Sequence, residues 1–438
     1  MRTLLVSTYE LGHQPLHLAS PASRLLKAGH EVRTHDLAVE EWDNARFAWA
    51  EAIGFSVPMH TAMRLAATAA EKVERVWPGK PIAFYGLYAG LADDRYTRLV
   101  GEYEDGLVAW VGGSRQSHVD VGRHRFGLPN RDGLPKLDRY GQLATAESQK
   151  LAGYVEASHG CRHRCRHCPI PAVYDGRYRV TGADVVLSDI ESQVAAGARH
   201  ITFGDPDFLN APRYSLDLLR AAHEHFPAVT FDLTVKVSHI LQHEKVWPEV
   251  ADLGVVFVVS AFETTNERVL RILDKGHTAA DMDQAVRIMG KAGIDLRPSW
   301  LPFTPWTEVS DVGSILQFLH RHDLADTVDP VQLSIRLLVP RGSLLADRPE
   351  MGEYDPVSLT HVWSASEAVD AQQRALAAIA ESGAGRPALQ TLARMWEFVF
   401  SEPMPATTDR GRPHLTESWF CCAEPTRTQL LSVSGSPA

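Results

Sequence analysis

The sequence predicts an α/β protein with an open parallel sheet at its amino end, a partial β/α barrel in the middle and a mainly helical carboxyl-terminal extension. Short apolar runs alternate with helical patterns over residues 1–115, and the same rhythm restarts at Tyr154. Such alternation is typical of parallel sheets with helices on their faces. We therefore expect domains at 1–115, 151–345 and 346–438, with residues 116–150 as a linker or cover segment.

The amino-terminal domain is predicted to be flavodoxin- or Rossmann-like. Its first strand is the buried run at 3–8, and a helix at 22–29 ends at a glycine. Further strands are expected at the apolar runs 52–57, 81–86 and 107–113. Ligands of such sheets bind beyond the carboxyl ends of the strands. Gly12 stands alone after the first strand, so a glycine-rich dinucleotide loop is not expected.

The middle of the chain is predicted to form a partial barrel of six β/α units. The predicted strands are 153–158, 200–205, 229–235, 255–262, 295–301 and 330–339. Helical patterns fill the intervals, most clearly at 185–198 and 278–293. The chemistry of such barrels sits on the loops at the carboxyl ends of the strands. Beyond the barrel we expect one helix at 364–382 and an irregular, proline-rich tail.

Composition narrows the class of protein. The formal charge of −10 argues against a broad nucleic-acid-binding surface. No apolar run approaches the roughly 18 residues of a membrane span, and the first residues lack the pattern of a signal peptide. We therefore expect a cytoplasmic protein that acts on a small molecule, with no nucleic-acid or membrane partner. The five cysteines are clustered rather than spread, which favours metal or redox chemistry over a disulfide scaffold.

Three of the cysteines lie within eight residues, directly after the first predicted barrel strand. They are Cys161, Cys165 and Cys168. Three thiolates on one loop can bind three irons of a [4Fe–4S] cluster and leave the fourth iron open. Structural zinc is an alternative, with His159, His163 or His167 as a fourth ligand. A set of inert thiols is a third, disfavoured because grouped cysteines oxidise unless they are metallated.

The CX3CX2C spacing after the first strand of a partial barrel resembles the signature of the radical S-adenosylmethionine (SAM) superfamily. Two further stretches match that pattern, namely the GDPDF run at 204–208 and the VVSAFETTNERVLRILDKGHT segment at 258–278. The resemblance spans roughly 150–340. It implies a [4Fe–4S] cluster, reductive cleavage of SAM, and an electron donor such as flavodoxin or ferredoxin.

The resemblance also implies a set of residues that contact SAM. These are His167, Gly204, Asp205, Asp207, Ser260, Glu263, Lys275 and Arg297. Two departures from the family pattern stand out. His167 occupies a position that is usually aromatic, and GDPD replaces the usual two glycines and glutamate. The group that meets the SAM amino group is therefore left open.

A flavodoxin-like sheet in front of such a barrel resembles the cobalamin-binding architecture of many radical SAM enzymes. The Asp-x-His-x-x-Gly loop of cobalamin methyltransferases is not evident in residues 1–115. Some relatives bind cobalamin without it. Cobalamin binding, and a domain that only shapes the substrate pocket, both stay open.

The tail TESWFCCAEPT carries the adjacent cysteines Cys421 and Cys422. Adjacent cysteines make poor disulfides, and two thiols are too few for a second cluster. Such a pair suits a soft centre such as As(III), or a redox or covalent role; the alternative is two small buried side chains. The tail resembles that of the CUAEP/CCAEP-tail radical SAM proteins, in which Cys422 takes the selenocysteine position. This implies catalytic roles for Cys421 and Cys422.

The leading hypothesis is a radical SAM transferase. It would move a SAM-derived radical group to a small molecule, in its sharpest form As(III) held by the tail cysteines. One alternative is a cobalamin-dependent radical SAM methyltransferase, and another is a metal-binding sensor module without enzymatic activity.

Overall fold

The computed structural model describes residues 1–417 and 424–434. A six-stranded parallel sheet forms the amino-terminal domain. Its strands are β1 (Arg2–Ser7), β2 (Glu31–Asp36), β3 (Ala52–Ser56), β4 (Ile82–Gly86), β5 (Thr97–Gly101) and β6 (His118–Asp120). Its helices are α1 (Leu16–Lys27), α2 (Asn44–Trp49), α3 (His60–Val76) and α4 (Glu104–Val111). The strand order β2-β1-β3-β4-β5-β6 is flavodoxin-like, with the topological switch at β1.

The predicted strand at 107–113 is wrong, because this run lies in α4. Leu107, Trp110 and Val111 are all buried, and their spacing of three and four residues puts them on one helical face. A short apolar run does not by itself distinguish a strand from a buried helix. The strands predicted at 3–8, 52–57 and 81–86 are confirmed as β1, β3 and β4.

The middle of the chain forms a curled sheet, the predicted half barrel. Its strands and the short hairpin strands beside it are β7 (Gln142–Ala144), β8 (Gln149–Val155), β9 (Ser158–Gly160), β10 (Tyr178–Val180), β11 (His200–Phe203), β12 (Thr230–Thr234), β13 (Val255–Glu263) and β14 (Asp295–Trp300). Its helices are α5 (Ile170–Tyr174), α6 (Ala183–Ala195), α7 (Pro212–His225), α8 (Val237–Gln242), α9 (Trp247–Asp252), α10 (Glu267–Leu273), α11 (Ala279–Ala292) and α12 (Val309–Arg321). Parallel pairing runs from β8 through β11, β12 and β13 to β14.

The sixth barrel strand predicted at 330–339 is wrong. Residues Pro330–Ser334 form a 3-10 helix, and among the described residues only the isolated bridge between Phe303 and Arg336 continues the sheet beyond β14. Pro330 has no N–H to donate to a neighbouring strand. The first turn of a helix does not need that N–H, so proline suits this position. The Asp329 carboxylate caps this turn by accepting from the Val331 N–H at 3.0 Å.

The carboxyl-terminal extension adds helices and one edge strand to the half barrel. Its elements are β15 (Tyr354–Asp355), β16 (Thr360–His361), α13 (Glu367–Ser382), α14 (Ala388–Phe400), β17 (His414–Leu415) and α15 (Arg427–Ser434). The helix predicted at 364–382 is confirmed as α13, and α14 and α15 were not predicted. Strand β17 pairs with β7, which gives a seven-stranded sheet with β17 and β14 at opposite edges.

Arg412 joins those two edges at the amino end of the barrel. Its guanidinium is 12% exposed and lies 2.8 Å from Asp326, 3.2 Å from Asp323 and 3.4 Å from Asp295, the first residue of β14. Nearby, Arg297 on β14 donates to the Pro413 carbonyl at 3.3 Å. The segment before β17 therefore bridges the open side of the half barrel.

The end of the chain packs on the amino-terminal domain. Helix α15 lies against α3 and buries Val433 to 1% exposure. Glu424 accepts from His60 at 3.1 Å and also pairs with Arg64, both in the first turns of α3. Cys421 and Cys422 lie outside the described residues. Among the described helices, none combines the length and apolar character that crossing a membrane requires.

Candidate cluster and cofactor site

The three-cysteine loop lies between β9 and α5, at the carboxyl end of the barrel sheet. Cys161 and Cys165 are each 9% exposed, and Cys168 is partly exposed. The Asn210 amide donates to the Cys161 sulfur at 3.4 Å. Burial raises the pKa of the Cys161 thiol and thus disfavours the thiolate. A bound metal would oppose this effect, because it stabilises the thiolate form. Three thiols on one loop are the donor set of a cubane cluster with one open iron.

Backbone contacts fix the path of this loop. Gly160 has φ +73°, and a Cβ there would lie 2.4 Å from the Arg177 carbonyl oxygen, so a side chain is excluded by strain and by contact. Further along, the Arg166 N–H donates to the Leu273 carbonyl at 2.8 Å. The loop is thereby joined to β10 on one side and to the end of α10 on the other.

The histidines offered by the sequence as a fourth zinc ligand each contact a carboxylate. His159 Nδ1 lies 2.9 Å from Glu102, His163 Nε2 lies 3.1 Å from Asp207, and His167 Nε2 lies 3.0 Å from Glu263. Zinc binding through one of these nitrogens would break such a contact. The other nitrogen of His167, Nδ1, has no hydrogen-bond partner among the described residues, so a ligand role for that nitrogen stays open.

Glu263, Lys275 and His167 meet beside the cysteine loop, and the contact with SAM that the sequence implied for each of them stays a prediction. Glu263 Oε1 lies 2.9 Å from Lys275 Nζ and 3.0 Å from His167 Nε2. Burial would raise the pKa of Glu263, but the Lys275 ammonium and His167 outweigh it and hold the pKa far below its usual range. Burial would lower the pKa of Lys275, and Glu263 together with the thiols of Cys165 and Cys168 raises it. Glu263 and Lys275 are therefore both ionised.

Glu263 sits at a bulge where β13 leaves its register with β14. Its φ of +65° is uncommon for a residue with a side chain. Lys275 follows Asp274, which ends α10 in the left-handed conformation at φ +56°. Backbone strain of this kind tends to occur at functional sites, and here it brings the two side chains together.

Asp205 holds the segment that leads into the cysteine loop, and Gly204 packs against β8. A Cβ at Gly204 would lie 2.0 Å from the Tyr154 hydroxyl, so the chain passes tightly over that ring. The Asp205 carboxylate is buried and accepts from the Ala157 N–H at 3.0 Å and from the Ser158 hydroxyl. Burial raises the pKa of Asp205 to about 7 against these two bonds. Contact of either residue with SAM stays a prediction.

Asp207 forms a contact that the sequence did not predict. Its Oδ2 lies 3.1 Å from His163 Nε2 and 2.8 Å from His239 Nδ1. Its Oδ1 accepts from the Leu209 N–H at 3.3 Å. Lys236 Nζ lies 3.4 Å from the other His163 nitrogen, which favours hydrogen bonding over a cation at this set. Asp207 therefore positions the cysteine loop through His163.

Ser260 and Arg297 are placed differently from the residues around Glu263. Ser260 is fully buried on β13, and its Oγ has no hydrogen-bond partner among the described residues. Arg297 pairs in register with Val259 on β13. Val259 precedes Glu263 by four residues, which is roughly 13 Å along the strand. Its guanidinium lies over Phe257 and donates to Pro413. The structure thus does not bring Arg297 to the cysteine loop, and a SAM contact by either residue stays a prediction.

A network of acids and histidines joins the two domains. His17 Nε2 lies 3.3 Å from Glu156, and Glu156 lies 3.4 Å from His159 Nε2. Burial would lower the pKa of His159, but Glu102 and Glu156 raise it to about 10. The histidine is therefore protonated at neutral pH and links the cysteine loop to the amino-terminal domain.

A cavity of about 270 Å³ lies at the carboxyl ends of β1 and β2, at the topological switch point. It is lined by the loop after β1, the segment around Tyr140, and described residues on either side of the tail cysteines. Glu10 and His13 are each 5% exposed there, and Glu10 Oε2 and His13 Nε2 lack hydrogen-bond partners among the described residues. Burial raises the pKa of Glu10 to about 7. Glu10 and His13 were not predicted from the sequence, because neither residue belongs to a motif.

Comparison with known proteins identifies the middle of the chain. Residues 155–302 match the family model of the radical SAM superfamily. A segment of 157 residues is 26% identical to hopanoid C-2 methylase of Rhodopseudomonas palustris strain TIE-1, covering 34% of this chain and 29% of that protein. A segment of 120 residues is 27% identical to the ribosomal protein uS12 methylthiotransferase RimO of Bordetella petrii, covering 27% of this chain and 26% of that protein. The aligned segments thus span less than a third of either relative.

Solved structures share the fold over most of the chain. The radical SAM methyltransferase TsrM from Kitasatospora setae, with tryptophan and a SAM analogue bound, aligns with a TM-score of 0.58 at 17% identity, covering 74% of this chain and 72% of TsrM. The cobalamin-dependent radical SAM enzyme OxsB with aqua-cobalamin bound aligns with a TM-score of 0.63 at 14% identity, covering 91% of this chain and 66% of OxsB. These likenesses establish a common fold that includes the amino-terminal sheet.

Proposed function

Because residues 155–302 are a radical SAM domain, we propose that this enzyme reductively cleaves SAM and transfers a SAM-derived group to a small molecule. The observation that carries the proposal is the three-cysteine loop beside the buried Glu263–Lys275 pair. Cys161, Cys165 and Cys168 would hold a [4Fe–4S] cluster. Once bound, that cluster supplies the electron that breaks a carbon–sulfur bond of SAM.

The charged residues beside the loop suit a cofactor that carries groups of both charges and has a net positive charge. SAM carries a sulfonium and an ammonium group, and the ionised Glu263 carboxylate offers a nearby negative charge. Lys275 keeps that carboxylate ionised and faces two of the thiols, so it also offsets the negative charge of a bound cluster. The position of His167 suits contact with the adenine, in place of the usual aromatic residue.

The test is anaerobic reconstitution with iron and sulfide, followed by addition of SAM and dithionite. We expect about four irons per chain and one SAM-derived product among 5′-deoxyadenosine, methylthioadenosine and S-adenosylhomocysteine. The variants Cys161→Ala, Cys165→Ala and Cys168→Ala should each lose most of the iron and the cleavage, whereas Arg287→Ala, exposed on α11, should keep both. An intact cluster with no SAM cleavage would contradict the proposal.

A soft acceptor such as As(III), held by Cys421 and Cys422, is the finer form of this proposal. The described residues on either side of the pair lie against the amino-terminal domain. Glu417 contacts the loop after β1 at Gly12, and Glu424 binds the start of α3. We expect an organoarsenic product when arsenite joins the reconstituted assay, and none from Cys422→Ser. SAM cleavage without such a product would remove this acceptor and leave the general proposal standing.

Cobalamin-dependent methylation is a second candidate, favoured by the fold shared with TsrM and OxsB. The switch-point cavity does not fit a corrinoid as it stands. Sites for drug-sized ligands measure roughly 300–1,000 Å³, a corrinoid is larger than such ligands, and this cavity measures about 270 Å³. Binding there would require α15 and the Thr416–Glu417 segment to move away.

The visible spectrum of protein prepared with hydroxocobalamin tests this second candidate. Retention of corrinoid after gel filtration would support it, and the variant Glu424→Gln, which weakens the link between the tail and α3, should then retain more. A spectrum free of corrinoid for both proteins would remove the candidate.

A further inference from the structure

The surface around the cysteine loop carries arginines from three separate segments. We call it the basic face, and its members are Arg123, Arg125, Arg162, Arg164, Arg177 and Arg179. All are exposed except Arg179, which is half-buried. The chain as a whole has a formal charge of −10, so the sign of this face is opposite to that of the molecule.

Direct contacts bring these segments together. Strand β10 pairs with β9, and β9 runs directly into Cys161. From β10, Arg179 donates to the Gly122 carbonyl at 2.7 Å and to the Val121 carbonyl, which places the segment with Arg123 and Arg125 beside the loop. Phe126 packs on His159 with ring centroids 4.3 Å apart, two residues before Cys161.

Few acids balance this charge. Asp175 pairs with Arg164 at 2.7 Å, and both side chains are more than half exposed. Asp120 is engaged by His124 at 3.1 Å and by the Gly122 N–H at 2.8 Å. Asp105 is half exposed and pairs with Arg24 at 2.5 Å and with His124 at 3.3 Å. Exposed ion pairs of this kind contribute little, so Arg164 remains available to a partner. No structural role is evident for Arg123 and Arg125, which make no side-chain hydrogen bond or ion pair among the described contacts.

The position of the face suits electron delivery. The cysteine loop lies at the surface here, since Arg162 and Arg164 are exposed between Cys161 and Cys165, and Cys168 is itself partly exposed. A cluster on this loop would lie just beneath the basic face. Complementary charge steers protein association and raises its rate by 10- to 1,000-fold at low salt.

We infer that the basic face is the docking surface for an acidic one-electron carrier protein. In the complex the carrier is oxidised by one electron and the cluster accepts that electron, so the exchange balances without a further reactant. This inference rests on the proposed function for the need of an electron. The charge complementarity does not depend on it.

The test compares two charge reversals in the reconstituted holoenzyme. Arg123→Glu/Arg125→Glu changes the basic face away from the cysteine ligands. The control variant, Arg287→Glu/Lys291→Glu, reverses the same number of charges on exposed residues of α11, which are not part of the basic face. The carboxyl end of α11 leads to the amino end of β14. The binding probe is a purified acidic flavodoxin, titrated by calorimetry at 50 mM and 300 mM salt.

We expect the first variant to weaken flavodoxin binding about tenfold or more at low salt, and the α11 variant to bind as the parent does. SAM cleavage driven by reduced flavodoxin should fall in parallel, while dithionite-driven cleavage, iron content and the cluster's electron paramagnetic resonance signal stay unchanged. Equal binding by the parent and Arg123→Glu/Arg125→Glu would overturn the inference, as would equal losses in both variants. Absence of dithionite-driven cleavage in the parent would instead overturn the proposed function, with the calorimetry still deciding the docking face.

Discussion

Replacing Lys275 with methionine removes the cation from a buried carboxylate. Glu263 and Lys275 are 7% and 4% exposed, and their charged atoms are 2.9 Å apart. Methionine keeps most of the length of the lysine stem, so the packing is largely preserved. The change therefore isolates the charge that stabilises the Glu263 carboxylate.

The expected magnitude follows from what remains around Glu263. Breaking a buried ion pair by removing one partner costs roughly 3–5 kcal/mol of unfolding free energy. His167 still lies 3.0 Å from the same oxygen, and a hydrogen bond to a charged group contributes roughly 1.5–3 kcal/mol. We therefore expect the low end, a loss of about 3 kcal/mol. Removing both charges in Glu263→Gln/Lys275→Met should recover about 1–2 kcal/mol of it.

The assay is urea unfolding of the cluster-free protein at pH 7.5, followed by tryptophan fluorescence. Lys291→Met, an exposed lysine late in α11, is the matched control and should change the unfolding free energy by less than about 0.5 kcal/mol. A loss below about 1 kcal/mol for Lys275→Met, or a double variant less stable than this single variant, would show that the Glu263–Lys275 ion pair does not stabilise the fold.

Three further predictions concern the same region and the closure of the barrel. The raised pKa of Asp205, about 7 against 3.8 when unfolded, means that its contribution to stability is full below about pH 4 and is lost as the pH rises through 7. The free energy of unfolding of Asp205→Asn, measured relative to that of the parent, should therefore increase as the pH rises from 5 to 8. Urea midpoints with the same pH dependence in both proteins would contradict this. Gly160→Ala should lower the iron retained per chain after gel filtration, because it adds strain of roughly 1–2 kcal/mol and a contact with Arg177; full iron retention would contradict it. Arg412→Met should lower the free energy of unfolding by about 3 kcal/mol and speed proteolysis of the tail. The control Arg386→Met changes an exposed residue and should do neither. An unchanged proteolysis rate for Arg412→Met would show that Arg412 does not hold the tail.

The sequence predicted the fold class because its strongest signals are local. Buried strands such as β1 and β3 are continuous apolar runs between helices, and such runs predict a parallel sheet directly. The run at 107–113 misled because four to seven apolar residues suit a strand and a buried helix equally. The missing sixth strand has a local cause too, since Pro330 favours a helical turn where the apolar pattern favours a strand.

The candidate site was predictable only where one motif carries it. The cysteine spacing and the segment around Glu263 and Lys275 are short patterns, and the structure brings these residues together. The contacts of Asp207 with His239, and of Arg412 with Asp326, join residues far apart in the chain. No local pattern marks such pairs, because their proximity is created by the curl of the sheet. The placement of Arg297 away from the cysteine loop has the same origin.

Metal analysis and SAM turnover together show whether the three-cysteine loop holds a [4Fe–4S] cluster that cleaves SAM. The protein is reconstituted anaerobically, its iron, sulfide and zinc are quantified, and SAM turnover with dithionite is followed by mass spectrometry beside the Cys161→Ala variant. We predict about four irons and four sulfides per chain and a SAM-derived cleavage product that the variant does not form. One zinc per chain without iron would rule out the cluster, and SAM left intact by a fully loaded and reduced protein would rule out the cleavage.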